Sequence, residues 1–254
     1  MTRALSAALA SEAVQRQVFR HLSSSGRSSI QRSDAAEFFA FVQSQHGDSY
    51  AQLYQDLWVL WSTSMKRSGY FVEFGATNGR DLSNTYLLEQ KYGWSGLLAE
   101  PFPHWHGELS ANRSAVIDHR CVWSASGEEL AFVATDTAPQ LAGLESSAFD
   151  DHHSGRRRDR GREITVRTVS LLDLLAEHQA PRSIDYLSVD TEGSELEILE
   201  AFDFSRYRIG LISVEHNDHV EKREGIYQLL QRNGFTRSLG QFSRFDDWYV
   251  NESG

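Results

Sequence analysis

The sequence predicts an α/β fold: an open, mostly parallel sheet covered by helices on both faces and closed by an antiparallel pair. Three observations predict it. Short apolar runs alternate with helical stretches from residue 70 to residue 233, the pattern of crossover-connected parallel strands. The segment 70–79, YFVEFGATNG, carries a strand straight into a glycine-bounded turn that opens onto a helix. Two apolar segments at 235–239 and 245–250 have no helix between them and read as the closing antiparallel pair.

The elements follow in order. Residues 1–22 read as helix and 23–33, rich in Ser, Gly and Arg, as a linker. Helical stretches follow at 34–45 and 50–66, the second burying Leu53, Leu57, Leu60 and Trp61 at helical spacing. Strand 70–74 leads to helix 82–92, strand 96–100 to helix 103–112, and strand 115–120 to a segment around 130–134. Residues 137–163 are polar, contain GRRRDRGRE and read as a long loop. A short strand at 164–168 precedes helix 170–178. Strand 184–189 leads to helix 194–202, and strand 210–215 to helix 219–233. Two domains are expected: an N-terminal helical extension or cap over 1–48, and a cofactor-binding domain over 49–254.

Composition narrows the function. Apolar residues make up 40% of the chain and charged residues 24%, as in a soluble globular protein that can bury a full sheet. The formal net charge of -10 disfavours nucleic acid as a partner. Cys121 is the only cysteine, which excludes an internal disulfide and a cysteine-based zinc cluster. No apolar run reaches the roughly 18 residues of a membrane span. The N-terminal apolar patch is broken by Glu12 and Gln15, so an amphipathic helix in a cytoplasmic protein is expected rather than a signal peptide. The N-terminal helices make a homodimer contact one expectation.

In an open α/β sheet, ligands sit outside the carboxyl ends of the strands. Glu73 stands two residues before Gly75. A carboxylate there opposes a pyrophosphate at the helix N-terminus and suits a phosphate-free cation such as S-adenosylmethionine (SAM), which carries a sulfonium and an ammonium. Glu73 could hold the ammonium directly or through backbone and water. Gly75 and Gly79 let the backbone approach the ligand. Glu100, followed by Pro101, ends the second strand and can accept both ribose hydroxyls of an adenosine. Strand 184–189 ends in Asp190-Thr191-Glu192-Gly193, and strand 210–215 ends in Glu215-His216-Asn217. These groups have three readings: positioning the methionine end of SAM and a substrate hydroxyl, supplying a general base, or binding Mg²⁺ through Asp190, Glu192 and Glu215. Helix capping is the alternative reading for Asp190, Thr191 and Ser194, which precede a helix; it accounts for Ser194 but not for the Glu215-His216-Asn217 cluster. The arginines at 156, 157, 158, 160 and 162 read as a solvated loop, with grip on an acceptor anion as the alternative.

With these motifs in hand, the chain resembles the FkbM-type SAM-dependent methyltransferases from about residue 50 to 250. The resemblance rests on QLYQDLWVL (52–60), GYFVEFGATNGRDLSNTYLLEQKYGWSGLLAEP (69–101), VRTVSLLDLL (166–175) and IDYLSVDTEGSELEILEAF (184–202). It implies a class I, Rossmann-like methyltransferase fold with a mostly parallel seven-stranded sheet. It also implies SAM as cofactor and O-methylation of a hydroxyl on a sugar or natural-product acceptor. Carried over by position, Glu73, Gly75, Ala76, Gly79, Asn84, Glu100 and Pro101 would bind SAM. Gln55 and Asp56 would approach it from the N-terminal helix, and Asp190 would lie at the methyl-transfer centre. The chain departs from the family pattern at Glu73 and Phe74, where Asp or Ile is common, and at Asn78, where Asp is common. Catalytic roles for His216 and Glu192 are inferences from this chain. Two other function classes stay open: a nicotinamide-dependent oxidoreductase, and a methyltransferase-like binding domain without catalysis.

Overall fold

The computed structural model describes residues 29–135, 142–144 and 161–252. The expected helix over 1–22, most of the linker and most of the arginine-rich loop lie outside these residues.

Helix α1 (Ser29–Gln45) leads through a short turn into α2 (Gln55–Ser62). The main sheet then begins with β1 (Tyr70–Phe74), α3 (Tyr86–Tyr92), β2 (Ser95–Ala99), α4 (His106–Asn112) and β3 (Val116–Asp118). Strands β4 (Cys121–Trp123), β5 (Glu129–Thr135), β6 (Gly143–Leu144) and β7 (Gly161–Ser170) follow. The chain returns to the main sheet with α5 (Leu171–Glu177), β8 (Ser183–Val189), α6 (Glu195–Glu200), β9 (Arg208–Glu215), α7 (Val220–Arg232), β10 (Phe235–Ser238) and β11 (Asp246–Asn251). The seven-stranded order is β10-β11-β9-β8-β1-β2-β3, and a second sheet runs β4-β7-β5-β6. Every pairing from β3 to β9 is parallel, and β11 runs antiparallel between β9 and β10.

Alternation along the central strands divides the core into two layers. Val72, Phe74, Leu187, Val189, Ile212 and Val214 face α5, α6 and α7. Phe71, Leu98, Tyr186, Leu211 and Trp248 face the N-terminal helices and α3. On that second face Trp58 stacks on Trp248 at 5.2 Å between centroids, and Phe38 of α1 meets Trp61, Phe242 and Trp248 edge-on. Each such side chain contributes about 1.5–3 kcal/mol on burial, so α1 and α2 are part of the core. No helix among the described residues is long and apolar enough to cross a membrane.

Several element ends differ from the sequence expectation, each for a local reason. Helix α1 starts at Ser29, inside the expected linker, because no Gly or Pro follows Gly26 there. Helix α2 is confined to Gln55–Ser62. The Asp56 carboxylate draws the amides of Tyr50 and Ala51 into a turn, and Tyr54 enters the helix at φ 66°. Helix α3 begins at Tyr86, since Ser83, Asn84 and Thr85 are bound to Glu73. The expected short strand at 164–168 is a ten-residue strand that builds the second sheet by pairing with both β4 and β5. That sheet closes its own small core of Phe102, Cys121, Phe132, Leu144 and Val166.

Candidate functional site

The register of the main sheet builds an acidic row across its carboxyl edge. Glu73 pairs with Leu98 on one side and Ser188 on the other, Ser188 pairs with Ser213, and Glu215 pairs with Asp246. Two residues further along each parallel strand, on the same face, stand Glu100, Gly75, Asp190 and Glu215. Asp246 joins them as the first residue of the reversed strand. The row is acid, glycine, acid, acid, acid. Gly75 is the gap by necessity: it has φ 69°, and a Cβ there would sit 2.0 Å from the Asp190 carbonyl oxygen.

The carboxyls of this row resist ionisation. Burial pushes Glu100 up to about 7, against the pull of amide hydrogen bonds from Phe102 and Thr77, each 2.8 Å long. Burial, then the charge of Asp190, pushes Asp246 up to about 8. Asp190 and Glu215 are both raised by burial, and they hydrogen-bond to each other when one carries a proton. They titrate as a pair that keeps a proton near neutral pH. The hydrogen bonds within the row come from neutral groups: Gln55 Nε2 donates to Asp246 at 2.6 Å and Asn217 Nδ2 to Glu215 at 2.7 Å.

Glu73 is differently engaged. It is 3% exposed and accepts from Ser83 Oγ, the Asn84 amide, Thr85 Oγ1 and Arg113. A direct ion pair between Glu73 and an incoming ammonium would have to displace these donors, so Glu73 shapes the site through residues 83–85. Asn84, between those hydroxyls, donates from Nδ2 to Ser188 at 2.9 Å and leaves its buried Oδ1 without a partner. Ala76 is buried behind the turn and Pro101 is half-buried beside Glu100. Packing by itself requires glycine at position 79, since φ is 76° and a Cβ there would meet Leu109 and Arg113 at 2.6 and 2.7 Å. Gln55 reaches the row through Asp246. Asp56 does not: its carboxylate is fully buried and binds Ser49 and the amides of Tyr50, Ala51 and Leu57.

Two expected roles are corrected. His216 is 1% exposed, and its Nδ1 accepts from the Asp218 amide at 3.1 Å. The neutral ring therefore carries its proton on Nε2, which points toward Asp247 at 3.9 Å. Burial lowers its pKa. Nδ1 is engaged by the Asp218 amide, and Nε2, which carries the proton, is buried without a hydrogen-bond partner, so the neutral ring is not set as a base. Glu192 is replaced by Glu195 in the acidic group: ligand atoms of Asp190, Glu195 and Glu215 lie within 4.8 Å of one another. Glu192 instead takes φ 58° with its Cβ against β6, where a Cβ on Gly143 would approach it to 3.2 Å. Glu195 Oε1 caps the turn, accepting from Thr191 and Gly193, and Oε2 meets Lys222 Nζ at 3.3 Å. A divalent ion at this group would compete with the Lys222 ammonium for Glu195 and with the turn amides that Glu195 already accepts from.

Sequence reasoning missed Asp246, Glu195 and Arg113. Asp246 carried a usable signal, as the first residue of a strand paired against one ending in Glu215.

This sheet order with an acidic rather than phosphate-binding edge defines a mixed α/β sheet of the class I methyltransferase kind. The methyltransferase FkbM domain family matches residues 73–237, about two thirds of the chain, and the chain belongs to that family. No curated protein matches it. Among solved structures it is similar to a precorrin-6y C5,15-methyltransferase from Geobacter metallireducens, with 11% identity, TM-score 0.40, and 77% of this chain and 85% of that one covered. It is also similar to a TehB-like SAM-dependent methyltransferase from Corynebacterium glutamicum, with 10% identity, TM-score 0.37, and coverage of 86% and 96%. A third is a putative sarcosine dimethylglycine methyltransferase from Galdieria sulphuraria, with 12% identity, TM-score 0.35, and coverage of 81% and 74%.

Proposed function

We propose that the protein transfers a methyl group from SAM to a hydroxyl of a small sugar or natural-product acceptor. The observation that carries this reading is the carboxylate row with its glycine gap. It suits a cationic, phosphate-free cofactor, whereas a dinucleotide would bring its pyrophosphate against four acids. The residues fit SAM: Glu100 retains lone pairs for ribose hydroxyls, and the unpaired Asn84 Oδ1 suits an ammonium N–H. A bound cation would draw Asp190, Glu215 and Asp246 toward their ionised forms, which would then balance its charge.

SAM, when bound, supplies an electrophilic methyl on its sulfonium. The chain's own groups orient the acceptor and manage its proton. Asp190 is the base in this reading. Its raised pKa matches neutral pH, and a positioned base of matched pKa contributes about 10²–10⁴-fold. Glu215 shares the proton Asp190 receives. Asp246 lies three strand spacings from β1, about 14 Å, so the far end of the row serves the acceptor rather than the nucleoside. A polyanionic acceptor is disfavoured by the same charge.

Calorimetric titration of SAM tests the reading. Micromolar binding that weakens at least tenfold in Glu100→Ala, followed by methyl transfer in a screen of sugars and glycosylated natural products, is the expected result. Absence of SAM binding refutes it.

A further inference from the structure

The sequence motifs around the glycine turn converge on one side chain that none of them contains. Arg113 follows α4 directly, and its side chain is fully buried. Its Nε donates to Glu89 of α3 at 2.7 Å. One terminal nitrogen, Nη1, faces Glu73 at 3.4 Å, the Gly79 carbonyl at 3.1 Å and Ser83 Oγ at 3.3 Å. The other donates to Thr85 Oγ1 at 2.8 Å. The guanidinium carbon lies 5.3 Å from the Phe71 ring centroid and 5.9 Å from that of Tyr86. The stem packs where a Cβ on Gly79 would stand.

We propose that Arg113 is the positioning residue of the cofactor site, fixing the glycine turn and the Ser83–Thr85 segment in the arrangement that presents Asn84. This rests on the SAM reading above. Three arguments carry it. First, a planar fork is the one side chain able to serve a carboxylate, a carbonyl and two hydroxyls at separate places at once; a lysine nitrogen is a single point. Second, Glu73 and Glu89 both lie against this guanidinium, so the charge of Glu73 is offset internally. The cofactor's positive charge is then left to Asp190, Glu215 and Asp246. Third, Asn84 lies between the two hydroxyls that Arg113 bonds, and its unpaired Oδ1 is the polar atom that the network presents without a protein partner.

Arg113→Lys tests the proposal, read by amide hydrogen exchange and by titration with S-adenosylhomocysteine, the demethylated and chemically inert form of the cofactor. The variant keeps the buried charge and loses the fork. Exchange of the amides at 79–86 is expected to accelerate at least tenfold while those of β9 and β11 keep their protection. The dissociation constant for S-adenosylhomocysteine is expected to rise at least tenfold. Should Arg113→Lys fail to fold, Glu89→Gln serves, since it lies outside the turn and loosens the guanidinium from α3; it is expected to show the same pattern at smaller size. Unchanged exchange at 79–86, or uniform acceleration across the sheet, overturns the positioning role. If wild-type protein binds neither form of the cofactor, the SAM reading falls, and the exchange pattern still decides whether Arg113 fixes the loop.

Discussion

Replacing Glu100 by Gln changes stability in a way whose pH dependence follows from the structure. The Glu100 carboxyl is held at about 7 in the folded protein against an ordinary value of 4.5. The folded state therefore binds more protons than the unfolded state between these values, and stability contributed by this group falls as pH rises. The cost of keeping this group folded is about 0.8 kcal/mol at pH 5 and about 3 kcal/mol at pH 7. Gln has no such cost. It does have another: the two oxygens of Glu100 accept from two amides, Thr77 and Phe102. Gln offers one oxygen and turns an NH₂ toward the second amide, a pH-independent loss of about 1–3 kcal/mol. The net change at pH 7 is thus small, but the stability of Glu100→Gln relative to wild type should rise by about 2 kcal/mol from pH 5 to pH 7. Urea unfolding of the cofactor-free proteins across this range measures it. A difference that stays flat from pH 5 to pH 8 would refute the claim that burial raises this carboxyl.

The whole row extends the same argument. Wild-type protein without cofactor should show a net loss of thermal stability from about pH 4 to pH 8, as Glu100, Asp190, Glu215 and Asp246 are pressed to ionise while buried and outweigh the opposite contribution of the buried His216 and His106, and SAM should flatten that slope. A melting temperature that rises over this window would contradict the reading of the acidic edge. Asp190→Asn should lower turnover about 10²–10⁴-fold while the dissociation constant for S-adenosylhomocysteine moves less than tenfold, as read by single-turnover assay and calorimetry. His216→Ala should keep most turnover at temperatures where it is folded and should lose about 2 kcal/mol of stability. A folded His216→Ala without turnover would restore His216 as the base.

The central strands were legible because each is a short apolar run bounded by Gly, Pro or charge, and the strand-end rule pointed at Glu100, Asp190 and Glu215. The residues that were mislocated share a physical cause. The rule fixes which strand reaches the edge but not which residue of the following turn points back, so Glu192 was read where Glu195 stands. In a parallel strand the edge residue is the last, whereas in the reversed β11 it is the first, which hid Asp246. Helix starts shifted because Asp56 and Glu73 capture amides and hydroxyls that periodicity assigns to helices. Arg113 at a helix end looks like any solvated arginine. Its one trace in the sequence is the pair of acids, Glu73 and Glu89, that burial would leave without a counter-charge.

The hydrogen bond from Gln55 to Asp246 joins residues 191 positions apart. During synthesis at about 5–20 residues per second, α2 would wait about 10 to 40 s for the strand that gives Gln55 its partner and Trp58 its stacked neighbour. Throughout that interval the apolar face of α2 has no β11 to cover it. A nascent chain is therefore most vulnerable at its first helices, and substitutions in α2 should register in the yield of folded protein made in a cell before they register in the melting temperature of the protein that is recovered.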